Sequence, residues 1–162
     1  MYHPFDTVKL ENGARLLLTP CPGTKEESVE LSIATLKAAG AEAVITLMLP
    51  EEQERFGVSH LQAATEAAGM SWIALPIQDD EQPEAPFEKN WALYKKTLVQ
   101  GLEEGKTYAV HCKGGQGRTS LVSALLMLEM GMDWPKVKAT IQAVKPKGLT
   151  IQKHLNYIEK FS

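Results

Sequence analysis

The chain is poor in the features that mark several protein classes. It has two cysteines in 162 residues, Cys21 and Cys112. They lie far apart and form no Cys-x-x-Cys pair, so neither a zinc site nor a disulfide framework is indicated. No apolar run approaches the roughly 20 residues that span a bilayer. The first residues, Met1-Tyr2-His3-Pro4-Phe5-Asp6, lack both the basic region and the apolar core of a signal peptide. Excess positive charge is missing too: 17 Lys and Arg stand against 20 Asp and Glu, a net charge of −3. Nucleic acid is therefore not expected as the main partner. There is no repeat, low-complexity run or linker. What is left is a chain with 44% hydrophobic residues. Its length suits one domain, residues 1–162, with an adequate core.

Against that background ten residues stand out: His111-Cys112-Lys113-Gly114-Gly115-Gln116-Gly117-Arg118-Thr119-Ser120. They follow the apolar run Tyr108-Ala109-Val110 and open an apolar helix candidate, Leu121 to Met130. A thiol thus sits at a strand-to-helix turn. Gly114, Gly115 and Gly117 let backbone N–H groups curl around an anion. The helix starting near Arg118 points its free N–H groups and positive dipole end at the same place. Arg118 adds a planar fork for two phosphate oxygens. This positive field favours the thiolate of Cys112. A thiolate there attacks phosphorus and forms a cysteinyl-phosphate. Thr119 or Ser120 is placed to hydrogen-bond the sulfur. His111 is expected to orient the loop rather than to form a Cys–His dyad, because neighbours at a strand end point to opposite sides.

A phosphate ester also needs its leaving oxygen protonated. The stretch from Trp72 to Pro83 reads as a buried strand running into an acidic, proline-bearing loop. A carboxyl from that loop, held opposite the nucleophile, serves as acid and then as base toward water. From the residues alone, Asp79 and Asp80 are both candidates. Both also read as solvated carboxylates before the next helix.

The loop resembles the signature His-Cys-x5-Arg-Ser/Thr of the cysteine-dependent protein tyrosine phosphatase superfamily. Pro76-Ile77-Gln78-Asp79 resembles the acid loop of its dual-specificity branch, most closely the kinase-associated phosphatase group, from about Pro20 onward. The resemblance implies Cys112 as nucleophile, Arg118 as phosphate ligand and Asp79 as general acid, with Asp80 the runner-up. It implies that Lys113, Gly114, Gly115, Gln116 and Gly117 line the substrate, with His111 and Thr119 in support. It also relates Gln152 to a residue that positions hydrolytic water. The tyrosine-bearing recognition loop of the phosphotyrosine-only enzymes is missing. The implied pocket is shallow and admits phosphoserine and phosphothreonine as well as phosphotyrosine.

The expected protein is thus a cytoplasmic, monomeric phosphatase of phosphoproteins, using no metal or cofactor and having no membrane span. Phosphoinositide-directed relatives often carry two lysines in this loop. Here Lys113 matches one and Gln116 occupies the other position, so a phosphoinositide or small phosphoester is the alternative substrate. A phosphate-binding module without turnover, or a sulfur-transfer enzyme, is disfavoured by the combination of Cys112, Arg118 and Asp79. Cys21 reads as a bystander thiol, with a role as resolving partner for an oxidised Cys112 as the alternative.

The rest of the chain predicts an α/β fold with a central, mostly parallel sheet flanked by helices. Asn12-Gly13 between apolar runs predicts a hairpin. Strands are expected at 43–49, 72–77 and the run ending in Cys112. Helices are expected at 28–39, 61–68, 87–104, 121–130, after Pro135, and at 151–161 with Thr150 as cap. Trp91, Leu93, Tyr94, Leu98 and Leu102 form the expected buried stripe of the 87–104 helix. Glu51-Glu52-Gln53-Glu54 reads as a solvated loop or helix start.

Overall fold

The computed structural model describes residues 2–161. Strands β1 (Asp6–Lys9) and β2 (Arg15–Thr19) form the expected hairpin, antiparallel and in register from Asp6 opposite Leu18 to Lys9 opposite Arg15. Asn12 closes it by accepting from the Ala14 amide at 3.0 Å. Helix α1 (Val29–Ala38) starts where the Ser28 side chain accepts from the Leu31 amide. Strand β3 (Ala43–Thr46), helices α2 (Pro50–Arg55) and α3 (Leu61–Ala67), and strand β4 (Ser71–Ala74) follow. Then come α4 (Ala85–Glu103), β5 (Thr107–His111), α5 (Gly117–Glu129), α6 (Trp134–Val144) and α7 (Gln152–Glu159).

The sheet order is β1-β2-β5-β3-β4, parallel throughout except for β1. The alternation of strand residues sorts side chains onto two faces. Leu16 and Leu18 point with Ile45 and Val110 into one core, packed against α4, α5, α6 and α7. Leu17, Val44 and Ala109 point into the other, under α1 and α3. Strand β5, central and buried at every position, is covered on both sides. Helix α5 is buried from Arg118 through Met127. An apolar helix with no wet face belongs in the middle of a domain.

Three expectations change. Leu93 and Tyr94 lie outside the core, 65% and 38% exposed, while Trp91, Leu98 and Leu102 are buried. The expected stripe was wider than the strip of α4 that the sheet can cover. Thr150 does not cap α7; its hydroxyl donates to the Lys147 carbonyl, and Ile151 holds the cap position without a side-chain bond. The 51–54 run is helical as α2, and Glu52 and Gln53 are buried.

Candidate active site

The chain leaves β5, β3 and β4 at their carboxyl ends, where open α/β sheets place ligands. His111 ends β5, paired in register with Thr19 of β2 on one side and Thr46 of β3 on the other. Cys112 follows. Its Sγ accepts from the Gly115 amide at 3.3 Å and from the Thr119 hydroxyl at 3.1 Å. Both bonds favour negative charge on the sulfur. Ser120 has no part in this. Its Oγ is buried without a partner and faces Gly148, where a Cβ would come within 2.4 Å.

The loop rests on the exit of β2. Cys21 donates its amide to the Lys113 carbonyl at 3.0 Å. Gly115 has φ +78°, and a Cβ there would meet Pro20 N and the Thr19 carbonyl carbon at 2.7 Å. Both the left-handed backbone and the close approach demand glycine. Gly114 meets nothing within 4 Å, so its side chain is not excluded by contact.

His111 works as a strut. The Trp72 indole donates to Thr46 Oγ1 at 2.8 Å, and Thr46 Oγ1 lies 2.7 Å from His111 Nε2. His111 Nδ1 lies 3.0 Å from the Cys112 carbonyl. A carbonyl accepts, so Nδ1 carries the proton and Nε2 accepts from Thr46. Burial pushes the His111 imidazole down to about 4, so it is neutral at pH 7. The ring carries a fixed hydrogen bond from one strand to the loop, and it makes no contact with Sγ.

Arg118 is 2% exposed. Its Nη1 and Nη2 donate to the two carboxylate oxygens of Glu52, each at 2.8 Å, and Nη1 also donates to the Ile77 carbonyl at 2.9 Å. That uses three of the five N–H groups of a guanidinium. The remaining two, on Nε and Nη2, form the other edge of the fork. Nε is buried and makes no hydrogen bond; it faces only the Asp79 carboxylate, with Oδ1 at 3.5 Å. A phosphate oxygen pair fits that edge. Burial alone would raise the Glu52 carboxyl, but the Arg118 hydrogen bonds and charge outweigh it and hold it below the usual carboxylate range. Nothing in the sequence separates Glu52 from its exposed neighbours Glu51 and Glu54. A buried arginine does require a counter-charge, and the chain supplies it from α2.

Asp79 lies in the loop between β4 and α4. Leu75 and Ile77 donate amides to Thr46 and Leu47 carbonyls, both at 2.9 Å, extending the strand-like path beside β3. The Glu81 amide then closes a turn onto the Gln78 carbonyl at 3.0 Å, with Asp80 at φ +63°. Asp79 Oδ1 stands 3.5 Å from Arg118 Nε, with the side chain 63% exposed. The carboxyl therefore pairs with the Nε edge of Arg118 and is open to solvent. Asp80 is exposed on the outer side of the turn.

Lys113, next to Cys112, places Nζ 5.0 Å over the Phe56 ring, and Arg55 stacks on the same ring at 5.4 Å. Gln116 caps α5 by position, without a side-chain bond. Gly117 begins α5, and its bare Cα leaves room for Ile151 of the α7 entry, 3.0 Å from where a Cβ would stand. Gln152 is exposed and donates its amide to Asn156 within α7. Its α7 neighbour His154 is buried and reaches the acid loop instead. Cys21 is fully buried, its thiol pushed up to about 12 by burial, which suits an inert thiol.

A domain model described as the Swiss Army Knife protein, DSP-PTPase phosphatase domain, matches residues 15–157. The chain belongs to this family. It is 29% identical over 150 residues to protein tyrosine phosphatase type IVA 3 of Bos taurus, covering 91% of this chain and 78% of that one. It is 26% identical over 151 residues to cyclin-dependent kinase inhibitor 3 of Rattus norvegicus, covering 89% and 70%. The fold superposes on kinase-associated phosphatase, in a form with its catalytic cysteine replaced by serine, at a TM-score of 0.86 and 20% identity. That match covers 99% of this chain and 94% of the other. The protein is a cysteine-dependent phosphatase of the dual-specificity branch. Among the described residues no helix is long and apolar enough to cross a membrane.

Proposed function

We propose that the protein hydrolyses phosphate monoesters on phosphoproteins, on tyrosine and also on serine and threonine. The observation that carries this reading is the Nε edge of Arg118, without a hydrogen bond and faced only by the exposed Asp79 carboxylate at 3.5 Å, together with a sulfur already accepting two hydrogen bonds. The phosphate seats against that edge, the loop amides and the α5 N-terminus. Cys112 attacks phosphorus in line. Asp79, protonated, gives its proton to the leaving oxygen. Water then attacks the cysteinyl-phosphate with Asp79 as base, and the thiolate leaves into the hydrogen bonds of Gly115 and Thr119. Asp79 suits this role by standing 3.5 Å from Arg118 Nε while remaining open to solvent. A second reading, a phosphoinositide or small phosphoester substrate, draws on Lys113 and Arg55 around Phe56. Two cations at the rim would receive a second anionic group.

The test is hydrolysis of a generic aryl phosphate with EDTA present, by wild type, Cys112→Ser and Asp79→Ala. Activity in wild type, none in Cys112→Ser and a loss of roughly 10²- to 10⁴-fold in Asp79→Ala is the expected result. Vanadate, which mimics the five-coordinate phosphoryl transition state, should inhibit. Undiminished turnover at saturating vanadate, or a strict need for added divalent metal, would overturn the mechanism. Phosphopeptide and phosphoinositide panels then separate the two substrate readings.

A further inference from the structure

The turn that carries Asp79 has two shoulders, and both are held by other elements. On one side the Ile77 carbonyl accepts from Arg118 Nη1. On the other, Glu81 is held twice by α7. His154 Nε2 lies 2.9 Å from the Glu81 carbonyl, and Lys153 Nζ lies 2.7 Å from the Glu81 carboxylate. A carbonyl only accepts, so His154 donates. His154 is 1% exposed, and desolvation lowers its pKa.

Helix α7 is in turn fixed on both sides of the cleft. Its entry packs over Gly117 at the start of α5, with His154 Cε1 3.9 Å from the position a Cβ would take. Further along, Tyr157 packs edge-on against Phe87 and donates to Glu88 at 3.3 Å, both residues of α4. One short helix therefore touches the phosphate loop's helix, the acid turn and the helix that follows the turn.

We propose that His154 and Lys153 of α7 are positioning residues for the general acid, holding the Glu81 shoulder so that Asp79 stays over the phosphate loop. The proposal rests on Asp79 as the acid. The turn needs such a hold. Its amide-to-carbonyl closure is a single bond, and Asp80 sits at a positive φ that a non-glycine residue adopts at a cost. Of the two contacts, the buried His154 bond carries more than the exposed Lys153–Glu81 pair, which solvent screens.

The experiment measures kcat/KM on p-nitrophenyl phosphate, whose leaving group needs little protonation, and on phenyl phosphate, whose leaving group needs it fully. Asp79→Asn sets the reference with the largest difference between the two. His154→Ala is expected to lose about tenfold on phenyl phosphate and less than about twofold on p-nitrophenyl phosphate. Lys153→Met, an exposed change safe for folding, moves the same way by a smaller factor. His154→Gln, which keeps an N–H donor within reach of the carbonyl, restores the wild-type ratio. Adding His154→Ala to Asp79→Asn changes the ratio no further, since both act on one proton transfer. If Asp79→Asn shows the leaving-group effect but the α7 variants lower both substrates equally, or neither, the positioning role is overturned and the acid stands. If Asp79→Asn shows no leaving-group effect, Asp79 is not the acid and both readings fall.

Discussion

The loop from Cys112 to Arg118 and the turn from Gln78 to Glu81 meet where Asp79 pairs with Arg118, and they are held differently. The first has its Cys112, Gly115 and Arg118 buried and is braced from directly beneath by His111 and by the close approach of Gly115 to Thr19 and Pro20. The second is exposed at Asp79 and Asp80 and braced from outside by Arg118 and by α7, 72 to 73 residues away along the chain. The contrast follows the chemistry. A nucleophile and an anion cradle must be in place before substrate arrives. In the proposed mechanism the Asp79 carboxyl must reach the leaving group and then water, and it stands at the solvent edge.

Breaking the brace of Arg118 should do the most damage to the buried side. Glu52→Ala leaves a buried guanidinium without its counter-charge and should cost about 3–5 kcal/mol of stability, read by urea unfolding. It should also lower kcat/KM, because the fork loses its fixed orientation. The Glu52 carboxylate is held below its ordinary pKa by Arg118. That part of the stability is present above the unfolded-state value and is lost as pH falls through the lowered one.

The strut under Cys112 has a pH signature of opposite origin but the same direction. His111 binds its proton at about 4 in the fold, against 6.5 ordinarily. As pH falls, the unfolded chain protonates first. Stability is therefore full above about pH 6.5 and falls between there and about 4, by up to about 3 kcal/mol. Urea midpoints from pH 7 to 4 should fall less steeply in His111→Gln than in wild type. An equal slope would mean that His111 is not the group concerned.

Two adjacent glycines sharpen the comparison within the loop. Gly115→Ala meets backbone at 2.7 Å with φ +78° and should cost about 2 kcal/mol or more, together with most of the activity. Gly114→Ala has open space and should stay within about 0.5 kcal/mol of wild type. The smallest effect belongs to the exposed turn. Asp80→Gly accepts the positive φ without strain and should change stability by less than about 1 kcal/mol while keeping the acid-dependent rate. Loss of that rate in Asp80→Gly, but not in Asp79→Asn, would move the acid to Asp80.

How much of this was legible follows from the same contrast. The phosphate loop could be read because its requirements are local: glycines where the backbone turns and crowds, a thiol at a strand end, an arginine at a helix start. The alternation of apolar runs likewise carried the strands, the helices and the parallel sheet. Ser28, read only as the first residue of a helix, caps α1, whereas Thr150, the expected cap, does not cap α7, since a side chain caps only where the preceding loop turns it toward the free amides. Glu52 was hidden in a run of four polar residues whose inward member is chosen by where α2 lands after β3. His154 carries no signal in the sequence, and Gln152, two positions earlier, is singled out for a different role, the positioning of water. Which of them faces the acid turn depends on the rotation of α7 against α5 and α4.

The sequence by itself determined the chemistry: a thiol and an anion cradle in one unbroken stretch, an acidic loop after a buried strand, and enough periodic apolar surface to build the sheet that presents them. Only the tertiary structure decided which carboxylate pairs with Arg118 through Nη1 and Nη2, which edge of its guanidinium makes no hydrogen bond, and which helix holds the turn at Glu81. Those choices are made between residues dozens of positions apart. They depend on helix rotation and strand register, which short-range pattern does not encode, and on burial, which turns one glutamate of several into the partner of a charge.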